Sequence, residues 1–193
     1  MKSVGVFAGS SSGARTEYAV AARELGRALA AHGIGLVYGG ARVGLMGALA
    51  DEVLGAGGHV IGVMPESLVA KEVAHKGLSE LRVVKTMHER KAMMSDLSDG
   101  FVALPGGMGT LDELFEIVTW AQLGLHVKPC GVLNIEGYFD RLLAFIEHSV
   151  AERFVRAEHA AMISVASSAP ELLGKMTSYR APVVQKWIER EQR

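Results

Sequence analysis

The segment LPGGMGTLDELFE, Leu104 to Glu116, closes an apolar run with Pro-Gly-Gly, adds Met108, Gly109 and Thr110, and then opens a helical pattern with Asp112 and Glu113. Glycines at such a place let the backbone approach another group closely, and the free N–H groups of a helix start favour an anion. Asp112 and Glu113 are themselves anionic, so a phosphate bound here has to sit away from them. The chemistry that fits is a ligand with a phosphate at one end and a developing positive charge at the other.

A second cluster precedes it in TMHERKAMMSDLSDG. On a helix, Met87, Arg90, Met94 and Leu97 recur at spacings that share one face, so Arg90 occupies a position in an otherwise apolar stripe. An inward arginine needs an anionic partner or ligand; it can also snorkel at the margin of the stripe or pair with a structural carboxylate. Lys91 beside it is either a mobile phosphate-binding point charge or a solvated surface lysine. Glu113 has two readings as well: with Thr110 it satisfies the capping-box pattern S/T-x-x-E, which the spacing favours, while the glycine-rich context and the nearby candidate anion site keep a carboxylate available for chemistry in view. Glu72, in VAKEVAHKG, is a third candidate on a segment without clear helical periodicity, and a solvated charge is its alternative reading. The seven histidines show no H-x-x-x-H or H-E-x-x-H spacing, and with one cysteine there is no ligand cluster for zinc. His88 and His126 read as surface or satisfied polar residues. No G-x-S-x-G elbow is present.

The elements that must position these residues are legible as alternating runs. Val4–Gly9, Ile34–Gly40, His59–Pro65, Leu81–Lys85, Gly100–Gly107 and Cys130–Asn134 are nearly continuously apolar, as strands covered on both faces are, and Ala161–Ser167 is a candidate last strand. Helical spacing appears in Tyr18, Ala21, Leu25 and Leu29, and helices fit Leu45–Leu54, Thr86–Leu97, Leu111–Leu123, Tyr138–Val150 and the region near Pro170–Met176. The polar end, 185–193, is a final helix or a frayed tail. This βαβ series predicts an α/β fold, a Rossmann-like doubly wound parallel sheet with helices on both faces. Residues 1–193 read as a single domain, without repeat or linker. Ligands of such sheets bind where loops leave the carboxyl ends of strands. Three such loops are rich in small residues: Gly9–Gly13, Gly39–Gly47 and Pro105–Thr110. Each alone is ordinary turn chemistry; together they predict one nucleotide-sized crevice. The Walker pattern and G-x-G-x-x-G are both absent, which disfavours a P-loop NTPase or a dinucleotide dehydrogenase.

Composition narrows the class further. A formal net charge of −1 leaves no basic surplus for nucleic acid, and no apolar run approaches the roughly 18 to 20 residues of a membrane span. The lone Cys130 cannot form an intramolecular disulfide, and the first residues lack a signal-peptide apolar region, so the reducing cytoplasm is the expected compartment.

TMHERKAMM followed by ALPGGMGTLDELFEIVTWAQLG closely resembles the paired motifs of the LOG (LONELY GUY) family, an Arg-Lys pair and P-G-G-x-G-T-x-x-E. The similarity runs from about Val4 to Pro170 and includes VFAGSS, YGGARVGLMG, VIGVMP and KPCGVLN. The resemblance implies a homodimer that hydrolyses the N-glycosidic bond of a nucleoside 5′-monophosphate, either N6-modified or plain AMP, without cofactor or metal. It implies Arg90 and Glu113 as the catalytic pair. The substrate contacts it implies are Glu72, Arg90, Lys91, the run Gly107, Met108, Gly109, Thr110, Leu111, Asp112 and Glu113, and Thr119. Met108 stands at a position that is often Tyr in plant members, and Glu66 where relatives are frequently basic; both bear on base preference. Relatives also carry the older label "possible lysine decarboxylase", which the residues do not support, because no arrangement for a pyridoxal Schiff base is visible. The alternative is a non-catalytic nucleotide carrier or sensor of the same fold; the presence of both Arg90 and Glu113 favours the enzyme.

Overall fold

The computed structural model describes residues 1–69 and 74–182. Glu72 and the polar end 185–193 lie outside the described residues. The chain runs β1 (Ser3–Phe7), α1 (Thr16–Ala31), β2 (Gly35–Tyr38), α2 (Gly44–Gly55), β3 (Val60–Pro65), α3 (Glu66–Val69), β4 (Glu80–Val84), α4 (Met87–Asp96), β5 (Phe101–Ala103) and α5 (Met108–Gln122). It continues through β6 (Cys130–Leu133), a 3-10 turn at Ile135–Gly137, α6 (Asp140–Ala151), α7 (Ala157–Ala160), β7 (Ile163–Ala166) and α8 (Ala169–Ser178). The strands form one seven-stranded sheet in the order β4-β3-β2-β1-β5-β6-β7. Every pairing is parallel.

Parallel strands are covered on both faces because each crossover helix packs back onto the sheet. On one face α1 inserts Tyr18, Leu25 and Leu29 against Leu49 and Val53 of α2 and Leu172 of α8. On the other, Met94 of α4 and Leu114, Ile117 and Val118 of α5 pack on Phe7, Val63, Phe101 and Val132. The edge strand β4 departs from the expected all-round burial: Arg82 and Val83 are exposed, as an outermost strand with a single neighbour allows.

The strand order turns at β1, whose neighbours β2 and β5 are followed in opposite directions across the sheet. The loops leaving β1 and β5 therefore part over the sheet's carboxyl edge and open a crevice there, as the topology of such sheets requires. The three small-residue loops meet at this point. Gly9 N–H donates to Pro105 O at 3.0 Å, and Gly9 O accepts from Leu45 N–H at 3.0 Å. A Cβ on Gly44 would overlap the Ser10 backbone, so the contact between the first two loops depends on glycine.

Candidate active site

Two helices supply the charged groups, and both begin where local chemistry sets them. Thr86 caps α4: its hydroxyl accepts from Glu89 N–H at 3.0 Å while the Glu89 carboxylate accepts from the Thr86 N–H, a complete capping box. This box had a sequence signal, T-x-x-E in TMHE. The second T-x-x-E, Thr110 to Glu113, forms no box. Helix α5 begins three residues earlier than that reading requires, with extended Gly107 as its N-cap and Thr110 already inside its first turn. Glu113 is thus freed from the helix terminus and turns inward.

Its partner is Arg90. Arg90 Nη1 donates to Glu113 Oε1 at 2.7 Å, and Nε donates to Val63 O in β3 at 3.0 Å. Each side chain of the pair is only 10% exposed. The predicted apolar stripe on α4 holds from Arg90 to Met94, but Met87 is exposed at the helix start. Burial pushes the Glu113 carboxyl above the usual carboxylate range, and the Arg90 charge pulls against that shift. The site therefore holds a carboxylate whose ionised form is favoured chiefly by the Arg90 guanidinium, with a smaller contribution from Lys91.

Lys91 points the other way. Consecutive helical residues lie about 100° apart, so Lys91 leaves the Arg90 face and meets Asp112 at 3.1 Å and Glu116 at 2.9 Å. It is not the solvated surface lysine of the bland reading: its side chain is 10% exposed. Burial disfavours its charge, but hydrogen bonds and charge from Glu116 and Asp112 outweigh that and raise its pKa. Glu116 is a member of this cluster that the sequence reading missed, although its three-residue spacing from Glu113 placed it one turn along the same helix.

The crevice between these groups is a cavity of about 370 Å³ lined by Gly9, Ser10, Met46, Leu68, Arg90, Met108 and Glu113, with Gly107, Gly109 and Thr110 along its rim. A second lobe of about 280 Å³ shares Gly9, Ser10 and Gly107 and is lined by Ser11, Ser12, Tyr18 and Tyr138. Tyr138 had no sequence signal; its hydroxyl donates to Gly106 O at 2.6 Å and clasps the Pro-Gly-Gly loop. The glycines of that loop divide by cause. A Cβ on Gly106 would overlap the Thr110 hydroxyl and stand 2.9 Å from Gly9 N, whereas one on Gly107 or Gly109 would meet nothing within 4 Å. Packing explains the first glycine; open space for something from outside the chain fits the other two. The N–H groups of Met108, Gly109 and Thr110, at the start of α5, have no carbonyl a turn earlier to bond, while Leu111 N–H is used by Gly107 O at 3.2 Å. Met108 is 85% exposed at the mouth.

Not every expected contact is brought together. Leu111 turns its side chain into the core, and Asp112 is exposed and held by Lys91. Thr119 lies six residues beyond Glu113, about 9 Å along the helix, on the exposed side. His88 is exposed, and His126 is satisfied by Ile117 O and Lys128 N–H at 3.0 and 3.1 Å, as expected. Among the described residues no group of His, Cys, Asp and Glu could hold a metal, and no helix is long and apolar enough to cross a membrane.

The sheet order and the crevice at its turning point define the Rossmann-like class, and solved structures share that fold. The molybdenum cofactor binding protein from the phototrophic bacterium Rippkaea orientalis superposes with a TM-score of 0.68 at 24% identity, covering 91% of this chain and 95% of that one. The molybdenum cofactor carrier protein of Chlamydomonas reinhardtii gives 0.69 at 21% identity over 91% and 95%. At such identity the likeness is one of fold. Sequence places the chain more narrowly. Residues 46–176 match the family model described as "Possible lysine decarboxylase". The cytokinin riboside 5′-monophosphate phosphoribohydrolase of Rhodococcoides fascians is 49% identical over 94% of this chain and 90% of its own length. The Arabidopsis thaliana enzyme of the same name is 48% identical over 92% and 84%. The chain belongs to this family, the LOG family of the motifs above.

Proposed function

We infer that this chain is an N-glycosyl hydrolase acting on adenosine-type nucleoside 5′-monophosphates, N6-modified or plain, and releasing free base and ribose 5-phosphate. The observation that carries the reading is the buried Arg90–Glu113 pair beside a helix start with free N–H groups in the same cavity. The 5′-phosphate sits on the N–H groups of Met108, Gly109 and Thr110, where the helix dipole favours an anion. The ribose then lies beside Glu113. As the bond from C1′ to the base breaks, its electron pair leaves with the base and positive charge grows on the sugar, which a carboxylate stabilises. Water adds to C1′, and its proton ends on the departing base. Arg90 holds the Glu113 carboxylate in place and keeps it ionised despite burial. The apolar side chains of Met46, Leu68 and Met108 suit the base. Lys91 acts through Asp112 and Glu116 on the helix start, and Glu72 is a further contact implied by the family resemblance.

The relatives named above, called phosphoribohydrolases of cytokinin riboside 5′-monophosphate, support this substrate class. Requirement for the phosphate is the test. Following base release by chromatography, AMP or its N6-alkyl analogue should be cleaved far faster than the matching nucleoside; equal kcat/KM for both would sink the reading.

The same reading includes a homodimer of one-domain subunits in the cytoplasm. Helix α6 has no buried residue, and Phe145 on it, Phe154 after it and Leu125 and Val127 after α5 are all exposed apolar groups on the α5 and α6 side. A second copy covering that side gives Thr119 a place at the neighbouring crevice. Light scattering that finds only monomer at micromolar concentration refutes this part. The buried free thiol of Cys130 fits a reducing compartment.

A further inference from the structure

The loop after β2 contains Gly39, and its function is not explained by turn geometry. No positive φ is found at Gly39, in contrast with Gly40 at φ 80°. The constraint on Gly39 is space. A Cβ there would overlap Arg90 Nη2 and stand 3.3 Å from Arg90 Cζ and 3.4 Å from Met46 Sδ. The guanidinium of a long side chain normally yields to such a contact. This one is fixed from two other directions, by Val63 O at 3.0 Å and Glu113 Oε1 at 2.7 Å. A methyl group at position 39 therefore forces Arg90 to give up one or both bonds.

We propose that Gly39 is a positioning residue for the reaction: the absence of its side chain is what lets the Arg90 guanidinium lie between β3 and Glu113 and present its edge to the sugar. This rests on Arg90 and Glu113 being the catalytic pair. Among the described residues, the charged groups that act on Glu113 are Arg90 and Lys91 from α4 and Asp112 from its own helix, and of these Arg90 alone bonds to it. Displacing the guanidinium removes the main influence that opposes the effect of burial on the carboxyl.

The expected result for Gly39→Ala is a fall in kcat of about 100-fold, the order a displacement near 1 Å produces. KM changes less, because the phosphate cradle on α5 is untouched. The acid limb of the kcat profile should move to higher pH, since a Glu113 with less counter-charge takes up its proton sooner; a merely structural loss would leave that limb in place. The decisive measurement is a double-mutant cycle in melting temperature. Gly39→Ala should lower Tm in the native background and leave it unchanged in Arg90→Ala, where the methyl group finds room. If Gly39→Ala alone fails to fold, Gly39→Ala/Arg90→Ala should fold. Equal losses of Tm in both backgrounds, or failure of both variants to fold, overturn the proposal. Tm coupling together with full activity in Arg90→Lys would retain the steric link but refute the catalytic assignment on which its function rests.

Discussion

Two ion clusters join the same two helices, one residue apart on α4; their cations are equally buried, at 10% side-chain exposure, but their carboxylates are not. Arg90 and Glu113 are both 10% exposed, whereas Lys91 is paired with Asp112 at 62% and Glu116 at 24% exposure. Arg90 is held by one carboxylate and one carbonyl and lines the cavity. Lys91 is saturated by two carboxylates. The first cluster leaves the ionised state of its carboxylate chiefly dependent on one bonded partner; the second spreads its charge among carboxylates that water also reaches. Low exposure strengthens charge interactions and raises the cost of an unpaired ion. One helical step of about 100° is enough to separate a group available for catalysis from a strut between helices.

The largest expected effect falls on the buried cluster. Glu113→Gln keeps an oxygen that accepts from Arg90 but removes the charge, and should lower kcat by about two to four orders of magnitude with little change in nucleotide affinity. Near-normal turnover with a lowered melting temperature would reduce Glu113 to a structural partner and erase the contrast. Arg90→Ala should lower turnover comparably and weaken binding too. It leaves Glu113 buried without a partner, a loss of about 3–5 kcal/mol in stability where the carboxylate stays ionised. Because protonation relieves that cost, the loss of Tm should be greater at pH 8 than at pH 5; calorimetry at both values checks it.

Lys91→Met sharpens the comparison from the other side. As a strut, Lys91 should contribute to stability, and its loss should change kcat/KM by less than about tenfold, since the donors at the start of α5 remain. A selective rise in KM for nucleotide well beyond that would place Lys91 on the phosphate, as the family motif implies. Its raised pKa adds a pH signature: the stabilisation is full below the ordinary lysine value of 10.5 and is lost as pH rises through the folded value. The raised Glu113 carboxyl gives the same sign in another window, with stability present below its ordinary value of 4.5 and lost as pH rises through the folded one. The smallest effect belongs to Asp112→Asn. Its side chain is 62% exposed and Glu116 remains beside Lys91, so stability should shift by about 0.5 kcal/mol or less in denaturant unfolding.

The alternation of elements, and the sheet edge at which the candidate site lies, were legible in the chain. Apolar strand runs, the stripe Tyr18, Ala21, Leu25 and Leu29, and three small-residue loops are local patterns, and local periodicity is what a chain displays without folding. The sequence placed an arginine in the apolar stripe of α4 but left open whether that side chain turns inward or snorkels at the margin. Tertiary structure decided what that arginine met. Two T-x-x-E signatures stand in the sequence: α4 begins directly after Thr86, so Thr86–Glu89 forms the cap, whereas α5 begins early, after Gly107, which leaves Glu113 free to pair with Arg90. It also decided the fate of Lys91, the clasp of Tyr138 on Gly106 and the space that Gly39 leaves for a guanidinium. These are contacts between segments dozens of residues apart, between loops and helices whose relative placement is set by the order of strands in the sheet. Spacing along the chain carries no record of that order.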